Sequence, residues 1–208
     1  MHAPTLKIEL INIEKKFNQE LLFSGISHTF TAPCKAALLG INGSGKSTLL
    51  QIISGYLSPG KGQINYMSDG RKLAEDEIFE MVSICAPYLE IIEEMTLVEF
   101  LEYHFAFKKQ RMPLNEIIRY IGLEKSKDKF IEQYSSGMKQ RVKLAQAFCC
   151  DTSVLLLDEP CTNLDEDGFA LYEKMLNDFT ENRIVIIASN DPKETKCCTE
   201  KYFIRDFK

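Results

Sequence analysis

No stretch of the 208 residues approaches the ~20 apolar positions that a membrane-spanning helix needs. The longest apolar runs, Val154–Leu157 and Ile184–Ala188, are bounded by charged or polar residues and read as buried strands. The opening MHAPTLKIEL has neither a basic n-region nor an apolar h-region, so no secretory signal is expected. There is no excess of positive charge either. With 25 Lys and Arg against 30 Asp and Glu the net charge is −5, which removes any global attraction for a nucleic-acid backbone. No C-x-x-C spacing occurs among the seven cysteines, and the adjacent pairs Cys149–Cys150 and Cys197–Cys198 suit neither a bridge nor zinc. Reduced thiols in a cytoplasmic protein are the expectation. Internal repeats, linkers and low-complexity tracts are missing too. At 45% hydrophobic and 26% charged residues the composition excludes disorder and suffices for a packed core.

What is present is an alternation of strand and helix signals. Leu6–Ile13 and Ile26–Phe30 alternate apolar and polar positions, the mark of half-buried strands. Ala36–Leu39 is a short apolar run that ends at Gly40, and Lys46–Ile53 has helical character. Leu57–Gly62 is a turn cluster, with strands expected over Gln63–Met67 and Met81–Cys85. From Pro87 to about Gln133 the character becomes helical. Thr96 and Glu99 have the form of a capping box ahead of LVEFLEYHFAF, and Leu114–Ile121 is a second amphipathic stretch. Further helices are expected over Lys139–Phe148 and Leu164–Phe179, and strands over Val154–Leu157, Arg183–Ala188 and Tyr202–Ile204. The sum is one α/β unit, a core of about 1–87 and 136–208 interrupted by a helical insertion of about 88–135.

The strongest motif is Gly40-Ile41-Asn42-Gly43-Ser44-Gly45-Lys46-Ser47-Thr48. It fits G-x-x-x-x-G-K-S/T between an expected strand and an expected helix. Glycines let the backbone close around phosphate, successive N–H groups make an anion nest, and the helix adds its positive end. Lys46 supplies a mobile cation for the β- and γ-phosphates of a nucleotide, and the Ser47 hydroxyl is a ligand for Mg²⁺. A plain glycine-rich turn would not need this context on both sides.

Val154-Leu155-Leu156-Leu157-Asp158-Glu159 supplies the other half of a magnesium site. A buried strand would deliver both acids to the edge where ligands bind in parallel α/β sheets. Asp158 is suited to hold the ion and Glu159 to polarise an attacking water. Taken alone, the same pattern also reads as a strand followed by a helix-capping acid.

A third motif separates this chain from other phosphate-loop proteins. Tyr134-Ser135-Ser136-Gly137-Met138-Lys139-Gln140-Arg141 shortly precedes the second motif and opens a helix. It resembles the LSGGQ signature of the ATP-binding subunits of ABC transporters, and Pro160-Cys161-Thr162-Asn163-Leu164-Asp165 looks like that family's D-loop. Phe17 stands where the family carries an adenine-stacking aromatic, although an aromatic beside a strand also reads as core. The resemblance covers nearly the whole chain. It implies a phosphate-loop NTPase core with a mostly parallel sheet, an N-terminal antiparallel β portion and a helical subdomain. It also implies ATP with Mg²⁺ as ligands. Ser135, Ser136 and Gly137 would complete the ATP site of a second, identical or different, ATPase subunit in a head-to-tail dimer. Integral membrane subunits, met on the cytoplasmic face, would be the other partners, with export the preferred direction.

Two departures from the family pattern bear on rate. The family's Gln after the third core strand is matched by Ala86-Pro87-Tyr88, and no Gln occurs between Gln63 and Gln110. Its His after the last core strand is matched by Asn190, while the chain's histidines are His2, His28 and His104. An Asn side chain hydrogen-bonds to phosphate but carries no proton. Binding is therefore expected to survive, and hydrolysis to be slow or dependent on a partner. Ser136 and Met138 are smaller departures, similar to exporter-like variants. The stripe Phe100, Tyr103, Phe105 and Phe107 reads as helical packing or as part of a groove for a membrane subunit's helix. A non-transport ABC-type ATPase acting on nucleic acid or a protein complex is the rival function. A small-molecule kinase would have no use for Tyr134–Met138.

Overall fold

The computed structural model describes residues 5–18 and 20–207. In chain order its elements are β1 (Leu6–Phe17), β2 (Glu20–Thr31), β3 (Cys34–Leu39), α1 (Lys46–Ile53), β4 (Lys61–Ser68), β5 (Arg71–Lys72), α2 (Glu75–Met81) and β6 (Val82–Cys85). They continue with α3 (Leu97–Phe107), α4 (Leu114–Tyr120), α5 (Ser136–Phe148), β7 (Val154–Asp158), α6 (Glu166–Phe179), β8 (Ile184–Ala188) and β9 (Glu200–Phe203). His2 lies outside the described residues.

Two sheets organise the chain. β6-β7-β8-β3-β9 is parallel throughout, and β2-β1-β4-β5 is antiparallel. The central strands VLLLD and IVIIA are buried at every position, which is what a parallel sheet covered on both faces demands. Strand alternation then divides their side chains. Leu155, Leu157, Val185 and Ile187 join one apolar cluster with Phe148, Tyr172 and Phe100, from α5, α6 and α3. Val154, Leu156, Ile184 and Ile186 join another with Leu49, Leu50 and Ile53 of α1 and Ile8 and Phe23 of the antiparallel sheet. The parallel sheet is thus the wall between two cores. Each fully buried Leu, Ile or Phe contributes about 1.5–3 kcal/mol relative to exposure.

Several element ends differ from the sequence expectation for local reasons. β1 runs on to Phe17 because Asn12, at φ +49°, absorbs a register shift against β2 and β4. Its N–H donates to Ser27 Oγ at 2.9 Å. Met81 ends a helix rather than starting a strand. That helix, α2, buries no residue and is held at its start by Glu77, which accepts from Ala74 N–H at 2.9 Å and pairs with Arg71. α5 begins at Ser136 because Ser135 Oγ accepts from Met138 N–H. α6 begins at Glu166, not Leu164, because Asp165 caps it by accepting from Gly168 N–H at 2.8 Å. The Thr96–Glu99 box forms in both directions. All seven cysteines are free. Among the described residues no helix is long and apolar enough to cross a membrane.

Candidate active site

The phosphate loop joins the C-terminal end of β3 to α1. Gly45 caps α1 at φ +105°, and a Cβ there would meet Leu22 and Phe23 side chains at 2.9 Å. At Gly40 (φ +156°) a Cβ would lie 2.6 Å from Ser44 Oγ. Both positions therefore demand glycine. The first-turn amides of α1 have no carbonyl one turn back and are open to an anion.

Lys46 reaches back over the loop. Its Nζ donates to the carbonyls of Gly40 at 2.7 Å and Ile41 at 3.3 Å, and to Oδ1 of Asn190 at 3.1 Å. Asn190 Nδ2 in turn donates to Asn42 Oδ1. Burial pushes the Lys46 ammonium pKa down, partly offset by the carboxylates of Glu159 and Asp158. The amine is held close to the sheet edge by groups it can exchange for phosphate.

β7 delivers the two carboxylates, as its apolar run requires. Asp158 is 2% exposed and its Oδ1 has no hydrogen-bond partner. Burial pushes its carboxyl pKa up, and the neighbouring Glu159 adds to this, while the Ser47 hydroxyl and the Lys46 ammonium pull it down. An orphaned buried oxygen beside the Ser47 hydroxyl is a hard-oxygen donor set, which fits Mg²⁺. Glu159 follows at φ +43°, a left-handed conformation rare for a side-chain-bearing residue, with its N–H donating to Ala188 O at 2.8 Å.

These groups share one cavity of about 440 Å³. Phe17, Asn42, Gly43, Gly45, Lys46, Ser47, Thr48, Asp158 and Glu159 all line it. Phe17 is 51% exposed at its rim, so it is no core residue. Gly40 and Ser44 lie behind the loop, along a separate groove that also touches Asn190. Ser135, Ser136 and Gly137 stand elsewhere, at the start of α5. There Ser136 borders the acidic Glu90–Glu94 stretch, and Gly137 lies against the Asn163 carbonyl. One chain therefore brings the two carboxylates to the phosphate loop and leaves the third motif apart.

Three lining residues, Leu22, Pro87 and Tyr88, were not singled out as site residues from the sequence. Tyr88, just after β6, borders the cavity beside Pro87, and burial together with the Asp158 charge pushes its phenol pKa up to about 12. Leu22 walls the loop at Gly45. Leu22 belongs to no motif and arrives through the fold, whereas Pro87 and Tyr88 fall in the segment matched to the family's Gln. No Gln stands at the Pro87 position. Instead Lys143 Nζ of α5 donates to the Pro87 carbonyl at 3.3 Å.

A family profile described as "ABC transporter" matches residues 23–162. The uncharacterised ABC transporter ATP-binding protein YybJ of Bacillus subtilis is 31% identical over 90% of this chain and 86% of its own length. The Nod factor export ATP-binding protein I of Rhizobium meliloti is 27% identical over 93% of this chain. The Fe(3+) ions import ATP-binding protein FbpC of Escherichia coli is 32% identical over 76% of it. The chain spans 59% and 47% of those two proteins' lengths. Among solved structures, a dimeric ATP-binding cassette bound to ADP and Pi superposes with a TM-score of 0.80 at 22% identity, covering 94% of this chain and 93% of that one. At that identity the likeness speaks for the fold. With the profile spanning residues 23–162 and the YybJ match running through 90% of the sequence, the chain belongs to the ABC transporter family, as one of its nucleotide-binding ATPase domains.

Proposed function

We propose that the chain is a single ATPase unit, core 1–87 and 136–208 with helical subdomain 88–135, that powers transport through separate membrane subunits. The observation that carries this reading is the meeting of Lys46, Ser47, Asp158 and Glu159 in one cavity. Phe17 stacks on the adenine at the rim. The loop Gly40–Thr48 wraps the phosphates, and Lys46 moves its donor hydrogen bonds from the Gly40 and Ile41 carbonyls to them. Ser47 and Asp158 would hold Mg²⁺, which would supply charge neutralisation to the phosphates. Glu159 takes the proton from the attacking water. Asn190, already against Lys46 and Asn42, orients the terminal phosphate without taking a proton.

The distance of Ser135–Gly137 from this cavity supports their use by a second copy or a related subunit. Ser135 Oγ accepts from Met138 N–H, so its own proton is left to donate to the other subunit's nucleotide. An open groove of about 900 Å³ runs between β4, α2 and α3, with an apolar wall that includes Leu57, Ile64, Leu73, Ile78 and Phe79. It supports docking of a membrane subunit's helix on the cytoplasmic face. None of Phe100, Tyr103, Phe105 and Phe107 lines it; His104 of the same helix and Lys108 just beyond its end do. Export is the direction we infer, from the signature variant Ser136 and Met138. Nucleic acid is not an expected partner at a net charge of −5.

Steady-state ATP hydrolysis by wild type and Glu159→Gln, with gel filtration in ATP and Mg²⁺, tests the reading. The variant should bind ATP, lose hydrolysis by about 10²–10⁴-fold and accumulate as a dimer. Undiminished hydrolysis by Glu159→Gln would sink the assignment. Pull-down from membranes should recover an integral protein, and recovery of ribosomes or DNA instead would favour the non-transport reading.

A further inference from the structure

The peptide bond between Pro160 and Cys161 is gripped on both sides. Its carbonyl accepts from Gln140 Nε2 at 2.6 Å, and its N–H donates to Glu194 Oε1 at 2.9 Å. Gln140 stands on α5, five residues after Ser135, and Glu194 stands four residues beyond Asn190. The gripped peptide begins one residue beyond Glu159. Both gripping side chains are buried, at 7% and 5% exposure. Tyr172 OH donates to the Glu194 backbone carbonyl at 2.9 Å.

A carboxylate is a costly choice here. Glu194 Oε2 has no partner, and among the described residues no cation pairs with this side chain. Burial without a cation disfavours the charge, and the carboxyl pKa is pushed up accordingly. Glu194, Glu159, Asn42 and Asn190 line a cavity of about 580 Å³ that shares Asn42 and Glu159 with the nucleotide cavity.

We infer that Glu194 is a positioning residue for hydrolysis: with Gln140 it clamps the Pro160–Cys161 peptide and so fixes Glu159 against Asn190. This rests on Glu159 being the group that polarises the water. The turn at Glu159 is strained, and such a conformation persists only where its surroundings over-determine it. On one side Glu159 N–H donates to Ala188 O; on the other the Glu159 carbonyl accepts from Thr162 N–H at 3.2 Å and Thr162 Oγ1 at 2.9 Å, and the clamp holds the peptide that joins Glu159 to that turn. Releasing the clamp lets the turn relax and carries the carboxylate away from the water. Lys46 and its loop hang from β3 and α1, so ATP affinity is untouched.

Hydrolysis and ATP affinity of the full chain are measured for wild type, Glu194→Ala, Glu194→Gln, Gln140→Ala and the double alanine variant. Glu194→Ala should lower kcat by about 30-fold or more, since small misplacements at a reacting centre cost up to ~10²-fold, with Kd for ATP within about twofold. Glu194→Gln keeps an acceptor for Cys161 N–H and should stay within about threefold of wild type. The double variant should fall no lower than the worse single variant, because the two side chains hold one peptide. Wild-type kcat in Glu194→Ala, or a matching loss of ATP affinity, or equal damage in Glu194→Gln, overturns the inference. Hydrogen exchange of the 159–165 segment gives a readout that needs no activity. It should speed up in Glu194→Ala and stay at the wild-type rate in Glu194→Gln; unchanged exchange in Glu194→Ala removes the clamp. A wild-type chain that hydrolyses no ATP refutes the function instead, and exchange still decides the clamp.

Discussion

Lys46 Nζ lies 3.1 Å from Oδ1 of Asn190, so the loop's cation is anchored by a side chain that takes up no proton. Asn190→His therefore adds a group able to exchange protons beside the phosphates. We expect its kcat to exceed the wild-type value by about tenfold or more, toward the contribution of a positioned acid or base. Its rate should also gain an inflection near the ordinary histidine pKa of about 6.5 that the wild type should lack. A fast wild type that the substitution leaves unchanged would overturn the expectation.

Lys46→Ala should leave the fold intact and weaken ATP binding. Hydrogen bonds to charged groups contribute about 1.5–3 kcal/mol, or about 10- to 100-fold in Kd. Calorimetric titration with ATP and Mg²⁺ checks this, and affinity within twofold of wild type would contradict it.

The start of α3 offers a test of stability alone. Thr96 Oγ1 accepts from Glu99 N–H at 3.3 Å, while Glu99 Oε2 accepts from Thr96 N–H at 2.8 Å. Thr96→Ala removes one arm of this box, at about 1 kcal/mol, and should lower the melting temperature by about 2–4 °C. ATP affinity should not change.

His104 gives the fold an acid-sensitive point. Its Nε2 sits 3.1 Å from Gln146 O and 3.3 Å from Cys150 Sγ. Burial holds its pKa below the usual histidine value, Lys108 adds to this, and the Gln146 carbonyl opposes it. As pH falls below about 6.5 the unfolded chain takes up the proton first. The stabilisation present above that pH is lost as pH drops through the folded-state value. The melting temperature should thus be lower at pH 5.5 than at pH 7.5, and His104→Gln should shrink the gap. His28, also held down by burial, retains its share of the effect.

The phosphate loop and the Asp158–Glu159 strand were legible because each motif carries its own physics. Glycine, lysine and an apolar run followed by acids mean the same thing in many folds. α2 was not legible, since EDEIFEM fully buries no residue and only Ile78 and Met81 pack partly against the core. Its start is fixed by Glu77 pairing with Arg71, a contact no periodicity announces. The full reach of β1 was hidden by the shift at Asn12, which breaks the alternation just where the strand continues to Phe17. Glu194 was invisible for a different reason. Its partner Cys161 is 33 positions away, and only the closing of β8 beside β7 brings the two together.

β3 and β7 are not neighbours; β8 pairs with both. Two interstrand steps set the phosphate-loop end of β3 and the carboxylate end of β7 about 10 Å apart. That interval is a ruler fixed by main-chain hydrogen bonds. Side-chain substitutions change what fills the interval, but none of them alters its width. The main chain thus fixes how far apart the loop and the carboxylates stand, while Lys46, Asp158 and Glu159 decide what that distance holds.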